Sequence, residues 1–132
     1  MRTQKHTRFA ALLLVVLIAA MALFTGCEEA KTQAGSKTIT VEIIVEGKET
    51  VTKTIATEAE FLRGALEQEE GLLVGEESQY GLFVKTVNGV TADESKQQWW
   101  CFTKGGADLF TGVDTTPIAD GDKFEITLKT GY

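Results

Sequence analysis

Residues 38–71 read TITVEIIVEGKETVTKTIATEAEFLRGALEQEEG, and the reading of this stretch decides the fold class. Ile39, Val41, Ile43 and Val45 alternate with Thr38, Thr40, Glu42 and, largely, Glu46. That period of two is the mark of a half-buried strand. Glu46-Gly47-Lys48-Glu49 supplies a turn, and residues 50–56 return with Val51 and Ile55 facing inward, which predicts a β-hairpin. The period then changes. Thr57 stands three residues before Glu60, the spacing of a capping box. Phe61, Leu62, Ala65 and Leu66 form an apolar stripe at helical spacing, and Gly71 supplies a stop. A helix of three to four turns is expected, with Glu58, Glu67, Glu69 and Glu70 on its wet side. That glutamate cluster reads as a solvated helix face rather than a cation site.

Working outward toward the C-terminus, the pattern returns to strands. Residues 81–87 form one, ended by the tight-turn pair Asn88-Gly89. Residues 98–104 form another, ended by Gly105-Gly106. In residues 123–129, Phe124, Ile126 and Leu128 alternate against Lys123, Glu125, Thr127 and Lys129. A hairpin, a helix and three further strands predict an α+β fold. The expected arrangement is β-grasp-like, a mostly antiparallel sheet with one helix packed on one face.

Toward the N-terminus the chain changes character. Arg2, Lys5 and Arg8 precede an apolar run from Phe9 to Phe24, about sixteen residues where a membrane-spanning helix needs about twenty. A basic start, a short apolar run and a small-residue exit are the pattern of an export signal. The exit, Phe24-Thr25-Gly26-Cys27, resembles the lipobox of bacterial lipoproteins. In that family the cysteine is lipidated and becomes the first mature residue, although Phe24 stands where Leu is usual. The expected organisation is a lipoprotein signal peptide over 1–26, a lipidated Cys27 with a polar tether to residue 37, and one domain over 38–132. It places the protein at the cell membrane, lipid-anchored, on the extracytoplasmic face. Uncleaved anchoring, or secretion with Cys27 incidental, are the alternatives.

Cleavage there would change the chemistry available. The chain has 13 basic and 19 acidic residues. The three charged residues of the signal are all basic, so ten basic and nineteen acidic residues remain, a formal charge of −9. An acidic surface argues against nucleic acid as a partner. The single histidine, His6, leaves with the signal, and Cys101 becomes the only free thiol. A structural disulfide, a His-based triad and a Cys/His zinc site are all excluded within such a chain. No catalytic residues, cofactor or metal ligands are assigned, and the expectation is a protein that is not an enzyme. Asp120-Gly121-Asp122, with Asp114 nearby, has oxygen ligands suited to calcium, but its spacing is not that of an EF-hand, and a turn before the last strand explains it.

The candidate binding residues centre on Trp99 and Trp100. Neighbours on a strand point to opposite faces. Trp100 shares its face with Phe102 and is assigned with it to the core; Trp99, between Gln98 and Trp100 and on the face of Cys101 and Thr103, is expected to be an exposed platform unless loops cover it. An indole removes about 150–250 Å² from water when buried, a large area to leave wet without a use.

These residues carry a resemblance. Tyr80-Gly81-Leu82-Phe83-Val84-Lys85-Thr86-Val87-Asn88-Gly89, Trp99-Trp100-Cys101-Phe102, Leu109-Phe110-Thr111-Gly112-Val113 and Asp120-Gly121-Asp122-Lys123-Phe124 follow in an order and spacing similar to the C-terminal β-domain of the transcobalamin and intrinsic factor family. Bacterial lipoproteins with the same small domain show the pattern too. The resemblance covers residues 81–132 well and the earlier hairpin and helix loosely. It implies a ligand-facing edge made by Trp99, Trp100, Leu109, Phe110, Gly112 and Val113, closing over cobalamin bound against a large helical barrel. The barrel is absent from this chain, so the implied function is a membrane-tethered binding module for a soluble small molecule, cobalamin-like or another, possible aid to uptake included. The alternative partner is a protein or a cell-wall polymer met through the same edge in adhesion.

Overall fold

The computed structural model describes residues 33–132. The expected signal peptide, Cys27 and most of the tether lie outside the described residues. No helix among those described is long and apolar enough to cross a membrane.

The elements in chain order are β1 (Lys37–Ile44), β2 (Val51–Thr57), α1 (Leu62–Glu67), β3 (Leu73–Ser78), β4 (Gly81–Val87), β5 (Val90–Thr91), a 3₁₀ turn (Glu94–Lys96), β6 (Gln98–Lys104), β7 (Ala107–Asp108) and β8 (Lys123–Thr130). They make the α+β fold expected, with one short helix and strands in two sheets rather than one. The larger sheet runs β2-β1-β8-β6-β7 and the smaller β3-β4-β5. All pairings are antiparallel except β1 with β8, which is parallel.

The alternation read in the sequence sets the core. Ile39, Val41 and Ile43 of β1 are buried, and Val41 and Ile43 lie beside Phe124 and Ile126 of β8. On the far side of β8, Ile126 pairs with Phe102 and Leu128 with Trp100. Leu62, Ala65 and Leu66 bring one face of α1 onto this layer. Fully burying each large apolar side chain contributes about 1.5–3 kcal/mol, so this face carries most of the drive to fold.

Three local expectations are corrected. The helix spans six residues, not three to four turns. Thr57 ends β2, and its Oγ1 accepts the amide of Ala59 at 3.0 Å instead of forming a capping box with Glu60. The helix start is satisfied from elsewhere, because the amides of Leu62 and Arg63 donate to the carbonyls of Thr116 and Val113, each at 2.9 Å. Val51 is exposed, as the first residue of edge strand β2, while Ile55 is buried as expected.

Strand β3 was not expected, since LVGEES alternates poorly and is rich in charge. It pairs with β4 through a register shift at Val74/Gly75. Gly75 is required there, because a Cβ would stand 2.3 Å from the carbonyl oxygen of Phe83. The Asn88-Gly89 turn is present, with φ of 48° and 79°. Both central residues are left-handed, the geometry of a type I′ hairpin turn.

At the other end of the core, β1 begins at Lys37, whose side chain is buried. Its Nζ donates to the carbonyl of Gly35 at 3.1 Å. The Asp120–Asp122 turn is locked onto β1 by the carboxylate of Asp120, which accepts the amide of Thr38 at 2.8 Å. The carboxylate of Asp122 accepts the amide of Ala119 at 2.8 Å and pairs with Lys104 at 2.9 Å. These acidic side chains are committed to the turn that feeds β8.

Candidate functional site

Strand β6 organises the site. Register with β8 places Trp99 opposite Lys129 and Trp100 opposite Leu128. Trp100 is buried, as expected, and its indole N–H donates to the carbonyl of Lys85 in β4 at 3.1 Å. That bond satisfies the polar end of a buried indole and ties the edge of the large sheet to the small one. Phe102 is half-buried beside the core.

Trp99 is half-buried rather than an open platform. Its indole N–H donates to the carbonyl of Gly131 at 2.8 Å, and the Lys129 ammonium lies 5.9 Å from its ring centroid. The ring is therefore held at a fixed angle, with part of its surface left to solvent. Cys101, the free thiol among the described residues, is buried.

Two clefts meet at this strand. One, of about 190 Å³, lies between β6 and β4 and is lined by Leu82, Phe83 and Val84 together with Trp99, Trp100, Gly112 and Val113. The other, of about 330 Å³, adds Asp108, Leu109 and Lys129 to the same two tryptophans. Five of the six expected ligand-facing residues thus line one cleft or both. Phe110 lines neither and is 99% exposed on the loop beside them. Leu82, Phe83, Val84, Asp108 and Lys129 are lining residues that pattern reading missed. Leu82, Phe83 and Val84 lie within the quoted family resemblance, but only the fold sets β4 beside β6.

The loop that contributes residues 109–113 is fastened to the rest by charge. Arg63 of α1 meets three carboxylates, bonding Glu67 at 2.7 Å, Asp114 at 2.5 Å, and both oxygens of Glu77 in β3. The other oxygen of Asp114 accepts the amide of Leu82 at 2.8 Å. That amide and then the Arg63 guanidinium hold the Asp114 carboxyl below the usual carboxylate range. Contacts with Glu77, Glu67 and Asp114 push Arg63 still further toward its charged form. One cation therefore joins α1, β3 and the cleft loop. Thr116 is buried at the base of that loop and donates from Oγ1 to the carbonyl of Gly112 at 2.8 Å. Among the described residues no group of three or more His, Cys, Asp or Glu side chains is placed to hold a metal ion.

These features define a small two-sheet α+β module with an aromatic cleft and no metal cluster among its described residues. The profile of DUF4430, a domain of unknown function, matches residues 59–130, more than half of the chain, and the chain belongs to that family. A solved structure from Ruminococcus gnavus, described as a “putative metal binding protein”, shares 50% identity with a TM-score of 0.70. The match covers 73% of this chain and 99% of that one. The fold is also similar to part of haptocorrin in complex with Cbi, with a TM-score of 0.66 at 14% identity. There the match covers 76% of this chain and 26% of haptocorrin. No curated protein matches the sequence.

Proposed function

We propose that this protein is a lipid-anchored, extracytoplasmic binding module that holds a soluble ligand against the Trp99–Trp100 edge of β6, and that it binds rather than catalyses. The single observation that carries the reading is the pair of clefts that both have Trp99 and Trp100 in their linings, residues whose indoles are each oriented by a hydrogen bond. Preset aromatic surface lowers the cost of ordering a site when the ligand arrives. The fold shared with haptocorrin, seen in complex with Cbi, supports a corrinoid as the first ligand to test. At about 190 and 330 Å³ the clefts are at or below the size that encloses a drug-sized molecule. A corrinoid would therefore be gripped along one edge rather than enclosed. The description of the Ruminococcus gnavus protein supports a metal ion as a second candidate. The described residues offer no ligand cluster for one, which ranks it below an organic ligand.

The test uses the protein's two tryptophans, both at the site, as its only indole fluorophores. Full-length protein in detergent is titrated with cobalamin and cobinamide, with haem and calcium in parallel. Saturable quenching by a corrinoid, weakened about tenfold or more in Trp99→Ala, supports the reading; a tenfold loss is about 1.4 kcal/mol. Flat titrations with all four overturn the small-molecule reading. A second reading, in which this edge meets a protein or cell-wall polymer, is favoured by Phe110 and Tyr80, which are 99% and 89% exposed. Uptake through a neighbouring transporter would suit a lipid tether at Cys27.

A further inference from the structure

Hydrogen-bond parity along β6 identifies groups that the two indoles do not account for. The amide of Gly131 donates to the carbonyl of Gln97, and the amide of Gly105 donates to the carbonyl of Lys123. In an antiparallel ladder the bonded pairs alternate, so the odd-numbered residues of β6 exchange bonds with β8. The main-chain groups of Gln98, Trp100, Phe102 and Lys104 therefore point away from β8. At one end the amide of Gln98 is taken by the carbonyl of Asp93 at 3.0 Å, and at the other the carbonyl of Phe102 accepts the amide of Leu109 at 3.4 Å. Short β7 pairs only with Thr103 and Lys104. Between these two caps, the Gln98 carbonyl, the Trp100 amide and carbonyl, and the Phe102 amide have no partner among the described residues.

Trp100 is only 6% exposed. Its unpaired main-chain groups lie along a sheet edge, which is a ready template for another strand. The gap is thus a strong place for a ligand to bond. Both clefts open beside it, and both are lined by Trp99, Trp100, Phe102 and Thr111.

We infer that the ligand class suited to this edge is an extended peptide, which adds a short antiparallel strand at Trp100. The inference rests on the proposed reading that the β6 clefts are the binding site, and it names the chemistry of the occupant. The peptide residue opposite Trp100 exchanges two bonds with it. The residues two places to either side donate to the Gln98 carbonyl and accept from the Phe102 amide, giving four bonds in all. Successive side chains of a strand point to opposite faces, so the peptide residue opposite Trp100 shares its face and the residues on either side share the face of Trp99 and Cys101. Charge selects among peptides. The chain beyond Gly26 carries −9, while the cleft wall itself holds one charge of each sign, Asp108 and Lys129, neither with an ion-pair partner among the described residues. A basic or neutral peptide is favoured over an acidic one.

The experiment uses full-length, ¹⁵N-labelled protein in detergent and the probe acetyl-Lys-Val-Thr-Val-Lys-amide, carried to about 10 mM, where even weak binding near the millimolar range is detected. A second probe carries an N-methyl group on the central Thr, which removes the donor to the Trp100 carbonyl. The expected result is a saturable downfield shift and slowed exchange of the Trp100 amide, with affinity lower by about fivefold or more for the N-methyl probe, as loss of one hydrogen bond near 1 kcal/mol requires. Equal binding of both probes, or no change at the Trp100 amide, overturns the inference. A corrinoid that quenches the indoles while neither peptide binds overturns the peptide but leaves the clefts as a ligand site. Failure of peptides and corrinoids alike removes both readings.

Discussion

The indole N–H of Trp100 donates to the main-chain carbonyl of Lys85, a bond of 3.1 Å that crosses from the five-stranded sheet to the three-stranded one. The carbonyl it uses belongs to a residue whose ammonium is occupied elsewhere, by Glu76 at 3.2 Å and Glu94 at 3.6 Å. Lys85 therefore joins three elements at once, through its backbone to β6 and through its side chain to β3 and the 3₁₀ turn. The cleft between β4 and β6 keeps its width because both walls are fixed to this residue.

From that bond follows a contrast between adjacent tryptophans. Trp100→Ala removes a buried ring and one of two donors to the Lys85 carbonyl, which the Ala92 amide still bonds at 2.9 Å, and it is expected to cost about 3–5 kcal/mol. Trp99→Ala removes a half-buried ring bonded to Gly131 near the C-terminus and is expected to cost clearly less. Chemical denaturation of the two variants measures the difference. Equal losses would mean that the two rings share the core equally.

Asp114 sets an acid limit on the cleft loop. Its carboxyl is held below the usual range by the Leu82 amide and then Arg63. A carboxyl depressed on folding stabilises the fold above its unfolded value, about 3.9, and that stabilisation is lost as pH falls through the folded value. Asp114→Asn should therefore destabilise at neutral pH and begin to converge on the parent below about pH 4, where the unfolded carboxyl takes up its proton, the gap closing as pH falls toward the lower folded value. Thermal unfolding from pH 7 down to 3 checks this. A gap that stays constant across that range would show that Asp114 acts by shape alone.

How much of this was legible in the sequence follows from the range of each interaction. The alternation of Ile39, Val41 and Ile43, and of Phe124 and Ile126, is a local property of strands buried on one face, and both strands appear where expected. The burial of Trp100 was legible for the same reason. The helix was overestimated because Thr57 and Glu60 match a capping pattern, whereas the amides at the helix start are satisfied by Val113 and Thr116, some fifty residues away in sequence. β3 escaped notice because its stability comes from pairing with β4 and from ion pairs to Arg63 and Lys85, which no local pattern records. The site was half legible. The two indoles stand out as unusual residues and the loop at 109–113 comes only from the family resemblance, but Leu82, Phe83 and Val84 reach the cleft only through the packing of one sheet against another.

Gly75 provides a test of the two-sheet arrangement. Any Cβ there meets the Phe83 carbonyl at 2.3 Å, and backbone on the partner strand cannot move aside as a flexible side chain can. Gly75→Ala is expected to destabilise by about 1–3 kcal/mol, the range for overpacking a tight site. The adjacent surface change Glu76→Ala should fall within about 0.5–1 kcal/mol, the scale of an exposed ion pair. Thermal melts of the two variants separate close approach from charge. A Gly75→Ala protein as stable as the parent would mean that the β3–β4 register is looser than the contact requires.

Phe110 offers the cleanest separation of binding from stability. It is 99% exposed, so its removal takes almost no apolar surface from the core. A Phe110→Ser variant is expected to unfold within about 0.5 kcal/mol of the parent. The loop that carries it nevertheless places Leu109, Gly112 and Val113 on the cleft walls. If a bound ligand extends beyond the cleft it meets Phe110 first, and burying that ring at the centre of an interface would make its loss cost about 1 kcal/mol or more in affinity. Unchanged melting with affinity reduced about fivefold or more would place Phe110 on the ligand side of the edge. Unchanged melting and unchanged affinity for a ligand that quenches Trp99 would confine binding to the two clefts.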